Sequence, residues 1–394
     1  MRYTEDSLVQ QTTAEYLEQA LGWDSVYAFD RETFGEGSLL GRASDRDMVL
    51  VRDLEAALRR LNTGLPDEAY AEAVKRLSIY TESQTLLQTN RELYELVLDG
   101  VPVHYRAADG ALKSTRLKVI DFDEPGNNRF LCVRELWIRG HYHRRRADII
   151  GFVNGLPLLF MELKNIHKDL RAAHDRNLKD YKDTVPHLFH HNAFIVLANG
   201  EKAKLGSLSS KYEHFHEWKR LHEEDAGVVD METLLKGVCN KRDFLDLLEN
   251  FILFDESSGK LAKIIARNHQ FLGVNRAMEA VQQRTERKGR LGTFWHTQGA
   301  GKSYSMVYFA RKVRRKVGGG FTFIVLTDRD DLDKQIYDTF AGCGVANNDK
   351  ERCRAASGAD LRVMLKEHKA FVFTLIQKFN KDVDPASPWT ERDN

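Results

Sequence analysis

The sequence predicts an α/β chain in two parts, a mixed sheet flanked by helices and then the start of a parallel α/β sheet. Three observations predict it. Apolar runs at 145–153 and 158–164 flank the turn dipeptide Asn154-Gly155, which reads as a hairpin within a sheet. From about residue 261, helix-period and strand-period stretches alternate, as the crossovers of a parallel sheet require. Between the apolar run 291–296 and the amphipathic stretch 302–316 lies Thr297-Gln298-Gly299-Ala300-Gly301-Lys302-Ser303, a glycine turn joining strand to helix.

Taken in order, residues 4–21 carry apolar side chains at helical spacing up to Gly22-Trp23. Helices follow at 66–78 and 83–98, the latter stopped by Gly100. Strands are expected at 101–106, 112–121 and 129–138, then come the two arms of the hairpin. A helix at 169–182 leads to a strand at 193–198, ended by Asn199-Gly200. Residues 201–260 are charged and helical in pattern, without a clear sheet. Beyond them come a helix, the strand 291–296, the glycine turn, the helix 302–316, Gly318-Gly319-Gly320, a strand at 321–327, a helix, and a strand at 370–375. The expected divisions are 1–215, a helical connector at 216–260, and 261–394.

Composition sets bounds on function. At 394 residues the chain exceeds one ordinary core. Its 42% hydrophobic and 30% charged content is that of a soluble globular protein. No apolar run approaches the length of a membrane span, and the first residues carry no export signal, so no membrane partner is expected. Cys132, Cys239, Cys343 and Cys353 lack zinc spacing and fit reduced thiols in the cytoplasm. A net charge of +1 exerts no global pull on nucleic acid, so any such affinity must come from local clusters.

The glycine turn is a phosphate-binding loop in its shorter Gly-x-Gly-Lys-Ser form, since the strict pattern wants glycine where His296 stands. Backbone N–H groups at Gly299 and Gly301 close around phosphate oxygens, Lys302 reaches the terminal phosphates, and the Ser303 hydroxyl ligates Mg²⁺.

A second constellation lies upstream. Glu162 and Lys164 are two residues apart and so share a strand face, while Asp148 stands on the partner strand. Two carboxylates and a lysine on one sheet face suit hydrolysis at Mg²⁺. Register decides whether they meet. A two-residue Asn154-Gly155 loop with regular strands would turn Asp148 away from Glu162. A three-residue loop, Val153-Asn154-Gly155 with Gly155 left-handed, pairs Phe152 with Leu156 and puts Asp148, Glu162 and Lys164 on one face. The site therefore calls for a bulged hairpin.

Arg139, His141, His143, Arg144, Arg145 and Arg146 run into Asp148 with Trp137 and Tyr142 interleaved, a placement that suits phosphate contact. Arg311, Lys312, Arg314, Arg315 and Lys316 read as a solvated helix face that also compensates the helix dipole. His187, His190 and His191 lack ligand spacing and are assigned to a surface or loop.

The two constellations together resemble the restriction (R, endonuclease and motor) subunit of type I restriction–modification enzymes. The nuclease likeness covers Asp148, Glu162, Lys164, the apolar lead-in Leu158-Leu159-Phe160-Met161 and the following helix. There the family has Gln-x-x-x-Tyr and this chain has Asn177 and Tyr181. Thr4-Glu5 resembles the family's opening, where a helix carboxylate can complete the metal site, although Glu5 also reads as an ordinary first-turn acid. The motor likeness covers Gln270, as an adenine-reading residue, and Thr297, Gly299, Gly301, Lys302 and Ser303 at ATP. It also covers Asp328, Arg329 and Gln377 in segments that contact DNA.

The resemblance implies a mixed-sheet Asp…Glu-x-Lys nuclease domain followed by the first part of a RecA-like lobe of a superfamily 2 helicase. It implies Mg²⁺ and ATP as cofactors, double-stranded DNA as substrate, and methylation and specificity subunits as partners. The activity implied is DNA cleavage coupled to ATP-driven translocation. The alternatives are a nuclease–helicase fusion from another restriction or repair system, or a fragment that only binds DNA or partners. The family's Asp-Glu-Ala-His box would follow shortly after Lys378, so an N-terminal fragment of a longer protein is expected. Asp67-Glu68-Ala69-Tyr70 mimics that box in letters but, after Pro66, reads as a helix N-terminus.

Overall fold

A computed structural model describes residues 5–79, 84–107, 109–346, 353–367 and 369–379, without the side chains of residues 5–7. Two compact units are present, one up to Ile252 and one from Leu253.

The first unit is built on a mixed six-stranded sheet. Its elements begin with α1 (Glu5–Gln19), β1 (Asp24–Tyr27), α2 (Val51–Leu61), α3 (Asp67–Ser78) and α4 (Leu86–Asp99). They continue with β2 (Val101–Arg106), β3 (Leu112–Leu117), β4 (Phe130–Arg139), β5 (Arg144–Val153), β6 (Leu156–Leu163), β7 (Phe194–Ala198) and β8 (Ala203–Gly206). Strand order is β1-β4-β5-β6-β7-β8, with β1 parallel to β4, β6 parallel to β7 and the other neighbours antiparallel. β6 and β7 are buried along their whole length, which is why they read as unbroken apolar runs rather than alternating ones.

The expected strands 101–106 and 112–121 form a separate hairpin, β2–β3. The Asp67-Glu68 segment opens α3, as expected of a helix N-terminus. The Glu68 and Glu72 carboxylates accept from the backbone N–H groups of Arg106 and His104, so α3 covers the open edge of β2. Residues 231–250, expected as part of a connector, form helices Met231–Cys239 and Lys241–Asn250 within the first unit. The Trp23 indole donates to Cys239 O at 2.8 Å and packs edge-on against Phe244. His187 lies in a short 3-10 turn, Pro186–Phe189, and His190 and His191 follow it; His191 is buried, and burial lowers all three pKa values. The three therefore lie in a loop between α-helix and strand, and the surface alternative is corrected for His191.

The hairpin corrects one expectation and keeps its consequence. Val153 pairs with Leu156 across a two-residue Asn154-Gly155 turn, with φ of 49° and 81°. The irregularity lies farther along, where Gly151 pairs with Leu159 but Phe152 with Pro157. Pro157 has no N–H to give to the ladder, so the extra residue is taken up beside it. That single insertion restores the parity, and Asp148 stands across from Glu162. Asn154 tolerates its left-handed backbone because its side chain is wholly buried and tied to Val119 O, Asn128 Oδ1 and Arg129 N, each at 2.9 Å.

The second unit opens with the paired strands β9 (Ile252–Asp255) and β10 (Ala262–Ile265). Helices Asn268–Gln282 and Lys302–Lys316 follow, then β11 (Phe323–Thr327), helices Asp330–Gly342 and Gly358–Lys366, and β12 (Phe371–Leu375). β11 and β12 are parallel, as the alternation requires. The strand expected at 291–296 is not formed. A strand needs a partner, and among the described residues this segment has none. Instead Phe294 lies over Gly273, where an added methyl would come within 2.6 Å of its ring, and His296 packs edge-on to His269.

Candidate functional site

Asp148, Glu162, Lys164, Asn177 and Tyr181 are brought together at one end of the β5–β6 ladder. Asp148 accepts from Leu163 N at 2.7 Å through one oxygen and from Gln10 Nε2 at 2.7 Å through the other. Glu162 is 1% exposed, and its Oε1 accepts from Lys164 Nζ at 2.5 Å and Asn177 Nδ2 at 2.6 Å. Its Oε2 is buried and has no hydrogen-bond partner among the described residues.

Asn177 comes from a helix in three pieces, Leu170–Ala172, a wider π-helical turn at Ala173–Leu178, and Lys179–Thr184. The shorter amide thus reaches Glu162 from a π turn, an irregularity often found at functional sites. Tyr181 docks the last piece onto β5 by donating to Arg146 O at 2.5 Å, and its ring meets Phe160 edge-on.

Burial raises the pKa of both carboxyls. For Asp148 the N–H of Leu163 and the charge of Lys164 oppose the rise, while the charge of Glu135 adds to it. For Glu162 the charge of Asp148 adds to burial, against Lys164 and Asn177. Two like charges in a dry site repel, and a cation between them would relieve that repulsion. The donor set fits a hard divalent ion: two carboxylates on adjacent strands, one carrying a buried oxygen that no other described residue satisfies.

Two residues near this site were not singled out in the sequence. Gln10, from α1, is the described side chain of that helix that holds Asp148; the side chain of Glu5 lies outside the described residues. Its signal was a polar residue on the apolar stripe of the helix. The other is Glu135: the charged pair Arg134-Glu135 breaks the apolar run of the strand Phe130–Ile138, which was the legible signal there. Glu135 adopts φ 53°, is buried, accepts from the Tyr27 hydroxyl at 3.2 Å and lies 3.6 Å from Arg146. At this row the core positions change parity, from Leu131 and Val133 to Leu136 and Ile138 on β4 and from Ile150 to Ala147 on β5.

The arginine run leading to Asp148 is largely paired within the protein. Arg139 and Arg144 share Asp45, each at 3.0 Å, and Arg145 grips Asp180. Arg146 faces Glu135 and lies over the Phe29 and Trp137 rings. Phosphate contact here would have to compete with these carboxylates.

In the second unit Gly299 and Gly301 have φ of 79° and 81°, and Gly301 caps the helix Lys302–Lys316. Among the described residues no side chain caps it, which leaves the first-turn N–H groups of Lys302 and Ser303 to meet an anion. Thr297 opens the turn, its carbonyl accepting from Ala300 N. Lys302 Nζ donates to His296 O at 2.8 Å. Gln270 is buried and faces the loop: its amide oxygen accepts from Arg267 N and its nitrogen donates to Gly301 O, both at 2.9 Å. His269 adds a bond to Ala300 O. Asp328, Arg329 and Gln377 gather where β11 and β12 end, with Gln377 donating to Asp328 O at 2.9 Å. Among the described residues no helix is long and apolar enough to cross a membrane.

Residues 2–214 match the family model described as type I restriction enzyme R protein N terminus, and residues 269–394 match that of the SWI2/SNF2 ATPase. The chain is 37% identical to the endonuclease subunit of the type I restriction enzyme HindI of Haemophilus influenzae, over 94% of this chain and 36% of that one. It is 28% identical to a relative from Methanocaldococcus jannaschii named for the MjaIXP type I restriction enzyme endonuclease subunit, over 90% of this chain and 36% of that one. Identity to the SauCOLORF180P endonuclease subunit of Staphylococcus aureus is 21%, over 94% and 39%. The chain thus spans a little over a third of the length of these relatives.

Proposed function

Because the chain belongs to the type I restriction enzyme R protein family, we propose that its first unit is a Mg²⁺-dependent nuclease for double-stranded DNA and its second unit part of an ATP-driven translocase. The observation that carries the nuclease reading is the pairing of Asp148 with Glu162, whose Oε2 is buried and unpartnered while Lys164 and Asn177 hold the other oxygen. Asp148 and Glu162 would hold Mg²⁺, with Gln10 and the Leu163 N–H fixing the Asp148 carboxylate. Bound there, the ion would acidify a water and neutralise charge on the scissile phosphate. Lys164 would turn from Glu162 toward that phosphate and the attacking water, a short movement for a flexible stem. Tyr181 would keep the Asn177 helix seated on β5.

In the second unit the loop amides, Lys302 and Ser303 would receive the phosphates of ATP, with Ser303 also serving Mg²⁺. Gln270 would keep the loop in shape through Gly301 O, and would have to exchange that bond to read adenine. Asp328, Arg329 and Gln377 would face DNA. Methylation and specificity subunits would supply sequence recognition in the assembled enzyme. Plasmid cleavage by that assembly tests the reading: Asp148→Ala and Lys164→Ala should abolish cleavage and spare ATP hydrolysis, and near-normal nicking by both would reject it.

A further inference from the structure

We propose that the first unit holds a second, oxyanion-binding site, built around Arg60, Arg129 and Lys241 and separate from the carboxylate pair. These three cations line a cavity of about 350 Å³ in which, among the described residues, Asp24 is the only lining carboxylate. Arg129 is held in place by Asp24 at 3.0 Å and Asp53 at 2.7 Å. Arg60 donates only to carbonyl oxygens, Asn127 O at 3.1 Å and Asn154 Oδ1 at 3.4 Å. Lys241 lies over the Phe130 ring, 5.5 Å from its centre. Among the described residues neither Arg60 nor Lys241 has a carboxylate partner.

Position sharpens the case. Lys241 is the first residue of the helix Lys241–Asn250, where the helix dipole disfavours a cation and favours an anion. Asn240 caps Asp243 N and the Asp243 carboxylate already answers the dipole, so an oxyanion in the cavity would answer the side-chain charges. The wall is already set: Asn128 Oδ1 accepts from Asp121 N and Asn154 Nδ2, and Asn154 Oδ1 accepts from the backbone of Arg129. A site that needs no rearrangement keeps its binding energy for the ligand. Phe130 pairs with Val153, five residues along β5 from Asp148, so the cavity lies roughly 16 Å from the carboxylate pair at about 3.3 Å per residue.

The cavity suits a phosphate group, carried by a free nucleotide-sized compound or by a nucleic-acid backbone. The test uses the whole chain carrying Lys302→Ala, so that the phosphate loop does not contribute. Pyrophosphate is titrated by calorimetry, and a labelled duplex by fluorescence anisotropy at two salt concentrations. One pyrophosphate should bind per chain, and Arg60→Gln with Lys241→Gln should weaken it at least tenfold without moving the thermal midpoint. Arg129 is retained, so its pairing with Asp24 and Asp53 is undisturbed. Should the double variant unfold, Lys241→Gln alone serves, with a loss of several-fold expected. A parallel fall in duplex affinity, with a salt slope smaller by about two, identifies the ligand as backbone phosphate; unchanged duplex affinity identifies a free phosphate compound. No pyrophosphate heat, or equal affinity in the variants, overturns the site.

Discussion

Replacing Glu162 by Gln should make the metal-free protein more stable, while removing its metal affinity. The glutamine side chain can keep its carbonyl toward Lys164 and Asn177, and its amide nitrogen would occupy the place of an oxygen that has no partner, so shape and main contacts survive. What disappears is a buried negative charge beside Asp148. The Glu162 carboxyl is raised from 4.5 to about 8, chiefly by burial and then by Asp148. The folded state therefore binds a proton that the unfolded state has released, and stability falls as pH rises from about 4.5 to about 8.

At about 1.4 kcal/mol per pH unit the ionised form costs several kcal/mol, and losing the ion pair with Lys164 returns one or two of them, leaving a net gain of roughly 1–3 kcal/mol at pH 8. For a unit of this size that is about 2–12 °C in the midpoint of its unfolding. Thermal unfolding of wild type and variant in EDTA from pH 5 to 8 reads it: the wild-type midpoint should fall across the range and the variant's should fall less. Millimolar Mg²⁺ should then raise the wild-type midpoint and leave that of the variant. A variant midpoint at or below wild type at pH 8 in EDTA would refute the reasoning.

Three further outcomes are expected. Asp148→Ala or Lys164→Ala should lower plasmid cleavage by the assembled enzyme on the order of 10³-fold or more, with ATP hydrolysis retained. Asn177→Leu, which removes a donor to Glu162 at similar size, should raise the Mg²⁺ concentration for half-maximal nicking about tenfold; an unchanged metal titration would take Asn177 out of the site. Gly301→Ala puts a methyl 2.8 Å from Gln270 Nε2 on a backbone with φ 81°, so nucleotide binding by equilibrium dialysis should fall at least tenfold while circular dichroism stays as in the wild type.

Sequence by itself determined what depends on local periodicity and on backbone chemistry. Alternation along a strand put Glu162 and Lys164 on one face, and the same parity argument required an inserted residue to bring Asp148 to them. Glycines 299 and 301 announced a turn at a helix start, and the backbone there is left-handed at both. Only the tertiary structure decided where the inserted residue goes, because Pro157 takes it through a missing ladder donor that turn chemistry does not reveal. The partners of Asp148 and Asp45 could not be read either: Gln10 reaches across 138 positions, and Arg139 and Arg144 find a carboxylate nearly a hundred positions away. Periodicity reports which face a side chain takes, but not what lies opposite. For the same reason 291–296 has the residues of a strand and is none, since a strand exists only where another chain segment completes its hydrogen bonds.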